Sequence, residues 1–279
     1  ATPYANIALA TPDNKIIYYE RVVDKLPKPP REVKPHPYGI DLEVMKRIIE
    51  SSKYDNLRDL LIHSFQSVGE VTADNILRSA RLDPSKNPKK LSERELLRLV
   101  DAMKNYDKYR PPKPDALSPL GSDIIVAGLK RMYQPEFVDA ITRKPSTYQG
   151  HPFIVEVGIA YGGKTPMSDS DKPYLLRYAN KIPLLYDEGS DVATIVIRED
   201  INWSNYLVEL PAPILVLVHI CSTKVPFKGV GKESIADVPE IRREIKLALL
   251  EVARRLRRYL AKKRREEEIK KKVVNIAKY

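Results

Sequence analysis

The sequence predicts an α+β protein in which a small all-α unit precedes an α/β unit that ends in a long basic helix. Three observations predict it. Apolar residues repeat at helical spacing through residues 40–103. Two later stretches, Phe153–Tyr161 and Ile214–Ile220, read as strands, the second continuous enough for a central one. From Pro239 to Lys272 a run of helix formers carries fourteen Lys and Arg against six Glu, so +8 of the net charge of +11 sits in 34 residues. Proline marks the joints: Pro27, Pro29, Pro30, Pro35 and Pro37 crowd one window, and Pro111, Pro112, Pro114 and Pro119 another. Because proline fixes φ and extends the residue before it, such windows read as stiff connectors. They cut the chain at about 1–34, 35–112 and 113–279.

In the first piece, Tyr4–Ala10 and Lys15–Val23 are rich in β formers, and Thr11-Pro12-Asp13-Asn14 supplies turn chemistry between them. This is one antiparallel hairpin. A lone hairpin is marginal in water, so the piece reads as the trailing edge of a domain missing from this chain. In the second piece, Ile40, Val44, Ile48 and Ile49 share a helix face, as do Leu57, Leu60, Leu61 and Phe65. Thr72 is placed to cap a helix through Ile76 and Leu77. Ser92-x-x-Glu95 is a capping box opening Leu96, Leu97, Leu99, Val100 and Met103. Ser67-Val68-Gly69-Glu70 and Asp83-Pro84-Ser85 are turns, giving four or five short helices.

The third piece mixes types. Ile124, Ile125, Leu129 and Met132 suggest a helix, and Gly162-Gly163 ends the strand Phe153–Tyr161. Leu175–Tyr186 is mostly extended, while Asp191–Glu199 fits helix and strand alike. The expectation is one sheet with helices on one face. In the last helix Ile241, Ile245, Leu249, Val252, Leu256 and Tyr259 form a seam of more than five turns, started by Pro239 with Asp237 as N-cap. Beyond Leu260 the seam fades. The first half should pack on the sheet and the second project as a stalk. Arg254, Arg255, Arg257, Arg258 and Lys262 there suit phosphate contacts and a solvated face equally.

Composition and motifs exclude much. With 43% hydrophobic and 30% charged residues the chain can bury a core. No apolar run reaches the length of a membrane span, and Ala1-Thr2-Pro3-Tyr4 opens no secretory signal. A single cysteine, Cys221, permits no internal disulfide and suits a reducing cytoplasm. Gly162-Gly163-Lys164-Thr165 lacks the glycine spacing of a phosphate loop. His36, His63, His151 and His219 are dispersed, and His219, in an apolar strand, reads as a core histidine. No nucleophile motif occurs. The chain alone does not read as a complete enzyme, and no metal site is expected in it.

One loop stands apart. Residues 221–234, Cys221-Ser222-Thr223-Lys224-Val225-Pro226-Phe227-Lys228-Gly229-Val230-Gly231-Lys232-Glu233-Ser234, join the central strand to the long helix and hold three lysines and two glycines. Such a lysine can reach out and neutralise a phosphate held elsewhere, although the composition also fits an ordinary soluble loop.

The stretch Ser222–Ile235, followed by Val238-Pro239-Glu240-Ile241, resembles the transducer domain of the B subunit of archaeal DNA topoisomerase VI. So do Arg177-Tyr178-Ala179-Asn180-Lys181-Ile182-Pro183-Leu184-Leu185-Tyr186 and Asp200-Ile201-Asn202-Trp203. Upstream, Pro37-Tyr38-Gly39-Ile40-Asp41 and Val68-Gly69-Glu70-Val71-Thr72-Ala73 are similar to that subunit's helix–two-turn–helix domain. The likeness covers nearly the whole chain in order.

The resemblance implies a type IIB topoisomerase, which passes one DNA duplex through a double-strand break in another. In that family the B subunit dimerises on ATP binding through a GHKL ATPase domain. An A subunit supplies the cleaving tyrosine and a magnesium site, giving an A2B2 heterotetramer. Residues 1–34 would then be remnant strands of the GHKL domain, 35–112 the helix–two-turn–helix domain, and 113–279 the transducer, an S5 domain 2-like α/β fold with stalk helix 239–272. The chain would couple ATP binding and hydrolysis to strand passage without binding ATP or Mg by itself and without a catalytic residue of its own.

One ATP contact is implied, a lysine at the γ-phosphate, placed at Lys232 by its glycine-lysine-glutamate context with Lys228 and Lys224 as substitutes. DNA contacts are implied at Trp203 and Tyr206, where Ser204 replaces the family's lysine after the tryptophan, although both aromatics read at least as well as core residues. With Arg254, Arg255, Arg257, Arg258 and Lys262 these are the candidate double-stranded DNA residues, and Val273–Tyr279 would lead towards the A subunit. Arg78, Arg81, Lys86, Lys89 and Lys90 are further candidate phosphate contacts. A non-enzymatic nucleic-acid-binding protein would explain the charge equally well, but not the lysine loop or the opening hairpin.

Overall fold

The structure is a computed structural model that describes residues 1–276. It divides into two compact units: residues 30–117 with 147–153, and residues 1–29, 118–146 and 154 onward.

The helical unit holds α1 (Leu42–Ser51), α2 (Leu57–Ser64), α3 (Glu70–Ala80) and α4 (Glu93–Asn105). Local chemistry sets their starts. Asp41 accepts from the Val44 amide at 2.8 Å, Asn56 from the Asp59 amide at 2.8 Å, and Ser92 and Glu95 complete both halves of the capping box. The hydrogen bond from Lys86, then those from Ser92, hold the Glu95 carboxyl down at about 2. Thr72 does not cap: α3 begins at Glu70 behind Gly69, which offers no side chain, so Thr72 lies within the first turn. Met45, Leu57, Leu60, Leu61, Phe65, Ile76, Leu77, Leu99 and Met103 fill the core. Gln66 ties together the two proline-rich segments, donating to the Lys34 carbonyl (2.7 Å) and accepting from the Lys113 amide (2.8 Å).

The second unit begins with β1 (Ile7–Ala10) and β2 (Ile16–Tyr19), antiparallel from Ile7↔Tyr19 to Ala10↔Ile16. Every residue of both strands is exposed, aliphatic ones included. There follow α5 (Ser122–Tyr133), β3 (Phe137–Thr142), β4 (Ser146–Tyr148), β5 (His151–Tyr161), β6 (Tyr174–Ala179), β7 (Ile182–Pro183), α6 (Val192–Ile195), β8 (Ile214–Ser222) and α7 (Pro239–Ile276), of which residues 147–153 in β4 and β5 belong to the helical unit. The sheet order is β3-β5-β8-β6-β7, with β4 on β5. β6 and β8 are parallel, Tyr174↔Leu215 to Ala179↔Ile220.

Helices cover both faces of this sheet, not one. Val138 and Ala140 of β3 join α5 residues Ile124, Ile125 and Leu129 in one cluster. The alternate residues turn to α7: Phe137 lies 5.2 Å from Tyr259 by ring centroids, and Asp139 meets Arg255 at 3.1 Å. Since successive strand residues point to opposite faces, the two helices lie on opposite sides. β8, buried at every position, requires as much. The ambiguous segment after Asp191 is helical, because the Asp191 carboxylate caps it at the Ala193 amide (2.9 Å) and a π-helical turn, Val196–Asp200, extends it.

In α7, Ile241, Ile245, Leu249, Val252 and Leu256 are buried. Tyr259 is half-buried, and Leu260 closes the seam in its place. From Ala261 to Val273 every side chain but that of Lys263 is exposed. Asp237 pairs with Arg242 at 2.9 Å instead of serving as the expected cap. Residues 277–279, part of the end expected to lead towards a partner, lie outside the described residues. Among the described residues no helix is long and apolar enough to cross a membrane.

Candidate functional site

The lysine loop leaves β8 and returns to α7 as a short hairpin. Its stem is a bridge between Phe227 and Ile235, extended by the Lys228 amide on the Ser234 carbonyl (2.9 Å) and the Ala236 amide on the Pro226 carbonyl (2.8 Å). Ser234 and Ile235 are buried, whereas residues 228–233 are all exposed. At the tip the Lys232 amide closes a turn on the Gly229 carbonyl (3.2 Å), and Lys232 itself is left-handed with φ 55°. A lysine rarely adopts that conformation, so the turn fixes where its side chain departs.

The three lysines differ. Among the described residues the ammonium group of Lys232 makes neither an ion pair nor a hydrogen bond. The charge of Lys228 acts on Asp187, whose carboxyl is held low first by hydrogen bonds from Ser190 and Ser234. Lys224 sits at the root of the loop, its amide on Ser222 Oγ (3.1 Å).

The stem is anchored from below by groups to which the sequence pattern assigns no role. Arg177 on β6 is buried and ion-paired with buried Asp191 at 3.2 Å. Burial pushes the Asp191 carboxyl up, against the amides of Ile235 and Ala193 and the charge of Arg177. The signal was present: in Leu175-x-Arg177-x-Ala179 a charge occupies the inward register of an alternating strand, where it needs a partner.

The DNA-binding candidates separate into two groups. Tyr206, Arg254, Arg257 and Arg258 line one open groove of about 830 Å³ with Asn205, Leu207 and Ala261. Among the described residues these three arginines carry no ion pair. The others have partners within the protein. Trp203 is only 5% exposed and donates its indole N–H to the Ile197 carbonyl at 3.2 Å, so it belongs to the core. Arg255 is neutralised by Asp139 and Glu251, and Lys262 lies 3.8 Å from Glu266. Ser204 turns back onto Asn202 Oδ1 at 2.6 Å. In the helical unit Lys86 is paired with Glu95, while Arg78, Arg81, Lys89 and Lys90 are exposed.

The remaining chemistry is structural. His219 Nε2 accepts from the Lys181 amide (3.0 Å), so Nδ1 carries the proton and donates it to Glu156 (2.7 Å), both side chains fully buried. Burial pushes the Cys221 thiol up and away from reactivity. Among the described residues no group of His, Cys, Asp and Glu could hold a metal ion.

Residues 112–272 match the family model described as the topoisomerase VI B subunit, transducer. Over its full length the chain is 54% identical to the B subunit of type 2 DNA topoisomerase 6 from Sulfurisphaera tokodaii and 50% identical to that from Metallosphaera sedula, covering 52% of each. The chain thus spans about half the length of the curated relatives it matches. Among solved structures, the B-subunit of the DNA gyrase from Myxococcus xanthus aligns with 48% of this chain and 38% of its own at 16% identity and a TM-score of 0.30, too low to bear on the fold. Matched over more than half of its residues by that model, the chain belongs to the topoisomerase VI B-subunit transducer family.

Proposed function

We propose that this chain is the coupling part of the ATPase subunit of a type IIB DNA topoisomerase. It relays ATP binding and hydrolysis to strand passage carried out with an A subunit, in an A2B2 assembly where a second B subunit joins on ATP binding. Nucleotide is held by the rest of the B subunit and magnesium by the A subunit, with residues 1–34 as the end of the GHKL domain and 35–112 as the helix–two-turn–helix domain. This chain contributes Lys232, a point charge that meets the γ-phosphate and loses its partner when that phosphate leaves. The observation that carries the reading is an ammonium group without a partner among the described residues, at the tip of a braced hairpin between the central strand and the long helix.

The relay follows from stiffness. Arg242, at the start of α7, pairs with Glu199, Asp200 and Asp237, so a displaced loop root pulls on the helix through a charged joint. At ~1.5 Å per residue the helix is roughly 57 Å long, and a rotation of about 10° moves its far end by about 10 Å. Tyr206, Arg254, Arg257 and Arg258 lie along it and face the duplex backbone. With the nucleotide-binding domain present, Lys232→Ala is expected to lower ATP turnover by about tenfold or more, the scale of one charge-assisted phosphate contact. Unchanged turnover rejects the assignment.

A further inference from the structure

Arg177 spends none of its hydrogen bonds on its own strand. Its guanidinium donates to the carbonyl oxygens of Leu184 (3.2 Å), Tyr186 (2.8 Å) and Glu233 (3.4 Å) while pairing with Asp191. Asp191 divides its carboxylate: Oδ1 caps α6, and Oδ2 takes the Ile235 amide at 2.8 Å. One buried ion pair therefore grips the returning arm of the lysine loop at Glu233 and at Ile235. Between them Ser234 Oγ donates to Asp187 (2.6 Å), which also receives Ser190 Oγ (2.5 Å). The Val192 amide on the Ile235 carbonyl (3.1 Å) completes the attachment.

A buried Arg–Asp pair is a poor way to gain stability, because desolvation offsets most of the attraction and apolar packing would serve as well. What it supplies is direction: a planar guanidinium and a carboxylate hold their partners at fixed angles. The partners held here begin one residue after Lys232. The tip itself, residues 228–233, is exposed, and Arg177 holds it at the Glu233 carbonyl.

We infer that Arg177 and Asp191 are positioning residues for Lys232, fastening the returning arm of its loop to residues 184–192 so that the ammonium group and that segment move as one body. Asp187 with Ser190 and Ser234 is the outer latch of the same fastening. The inference deepens the function proposed above and rests on Lys232 as the γ-phosphate contact.

Two measurements test it separately. In the complete B subunit, the ratio of the Kd for ADP to the Kd for a non-hydrolysable ATP analogue reads the Lys232 contact, and Lys232→Ala lowers it. Asp191→Asn, Arg177→Lys and Asp187→Ala are expected to lower the same ratio, the first two by about fivefold or more, and Asp191→Asn added to Lys232→Ala lowers it no further. A pair that only stabilises the fold leaves the ratio alone. Asp187 is exposed, so its variant leaves no buried charge without a partner and keeps the test open if the others fail to fold.

In the 279-residue chain, hydrogen exchange of the Ile235 amide is expected to quicken by about tenfold or more in Asp191→Asn while α5 keeps its protection. A ratio lowered by Lys232→Ala but untouched by Asp191→Asn and Asp187→Ala overturns the inference. Should Lys232→Ala itself leave the ratio unchanged, the nucleotide reading fails. The fastening is then judged by exchange alone: faster exchange at Ile235 upholds it and unchanged exchange overturns it.

Discussion

Glu156 has no exposed surface, yet burial, which alone would raise its carboxyl, is outweighed and the group is held below the ordinary carboxylate range. The donors responsible are His219 Nδ1 (2.7 Å), Thr142 Oγ1 (2.7 Å) and the amides of Leu120 and Gly121 (both 2.7 Å). Four donors on two oxygens leave no place for a fifth polar hydrogen. Glu156→Gln turns an N–H towards one of them and removes the charge the others were arranged for. It is expected to destabilise the sheet unit by about 3 kcal/mol, measured by urea unfolding followed through Trp203 fluorescence. A loss under about 1 kcal/mol would show that the donors have alternative partners. The pH dependence follows from the depressed carboxyl. Its contribution is complete above the unfolded carboxylate pKa of about 4.3 and is lost as the pH falls from there through the lower folded value. Sequence alone placed His219 correctly as a core histidine because the strand around it is apolar. It gave no hint of Glu156 as its partner, since that pairing joins residues 63 positions apart.

At the scale of elements, the helix–sheet contact depends on one absent side chain. Gly158 lies in the middle of β5, and a Cβ there would stand 2.6 Å from Ile125 Cγ2 and 2.9 Å from Leu129 Cδ1 on α5. Gly158→Ala should therefore push α5 off the sheet or force those side chains off their rotamers, at a cost of about 2 kcal/mol in thermal or urea unfolding. Ile125→Ala, which removes the Cγ2 that collides, should cost less in the Gly158→Ala background than it does alone. Glycine inside an apolar strand is a readable sign of close approach, so this contact was legible in kind but not in partner. The helices were legible because capping groups and apolar spacing are local. The strands β3 and β4 were not, since Phe137–Thr142 is short and only partly buried and its pairing with β5 is a distant one. The expectation of one covered face failed for a related reason. Nothing local in Ile124–Met132 or Ile241–Leu256 states which side of a sheet each helix takes; the uninterrupted burial of β8 does.

For the whole molecule, the net charge matters less than which charges have partners. Arg242, Arg255, Lys262, Lys263 and Arg264 on α7 all lie within ion-pair distance of carboxylates, so much of the positive excess that the sequence displays is answered locally. Arg254, Arg257 and Arg258 have no such partner among the described residues, and they share their groove with Tyr206. A duplex would release condensed counterions only where such free cations meet its phosphates, with log affinity falling against log salt by about 0.9 for each contact. The double substitution Arg257→Ala with Arg258→Ala is therefore expected to reduce the slope of duplex binding by about 2 and to weaken binding uniformly across sequences. Lys262→Ala, which removes a lysine already facing Glu266, is expected to leave the slope within about 0.3 of the original. Arg255→Ala should instead lower stability, because Asp139 loses its partner at the joint between α7 and β3. Fluorescence anisotropy with a labelled duplex at a series of salt concentrations separates the first two outcomes, and urea unfolding reads the third. Equal slopes for the Arg257/Arg258 and Lys262 variants would mean that the groove does not meet phosphate. The basic run would then be a solvated helix face, and the contact between this chain and DNA would have to be sought among Arg78, Arg81, Lys89 and Lys90 of the helical unit.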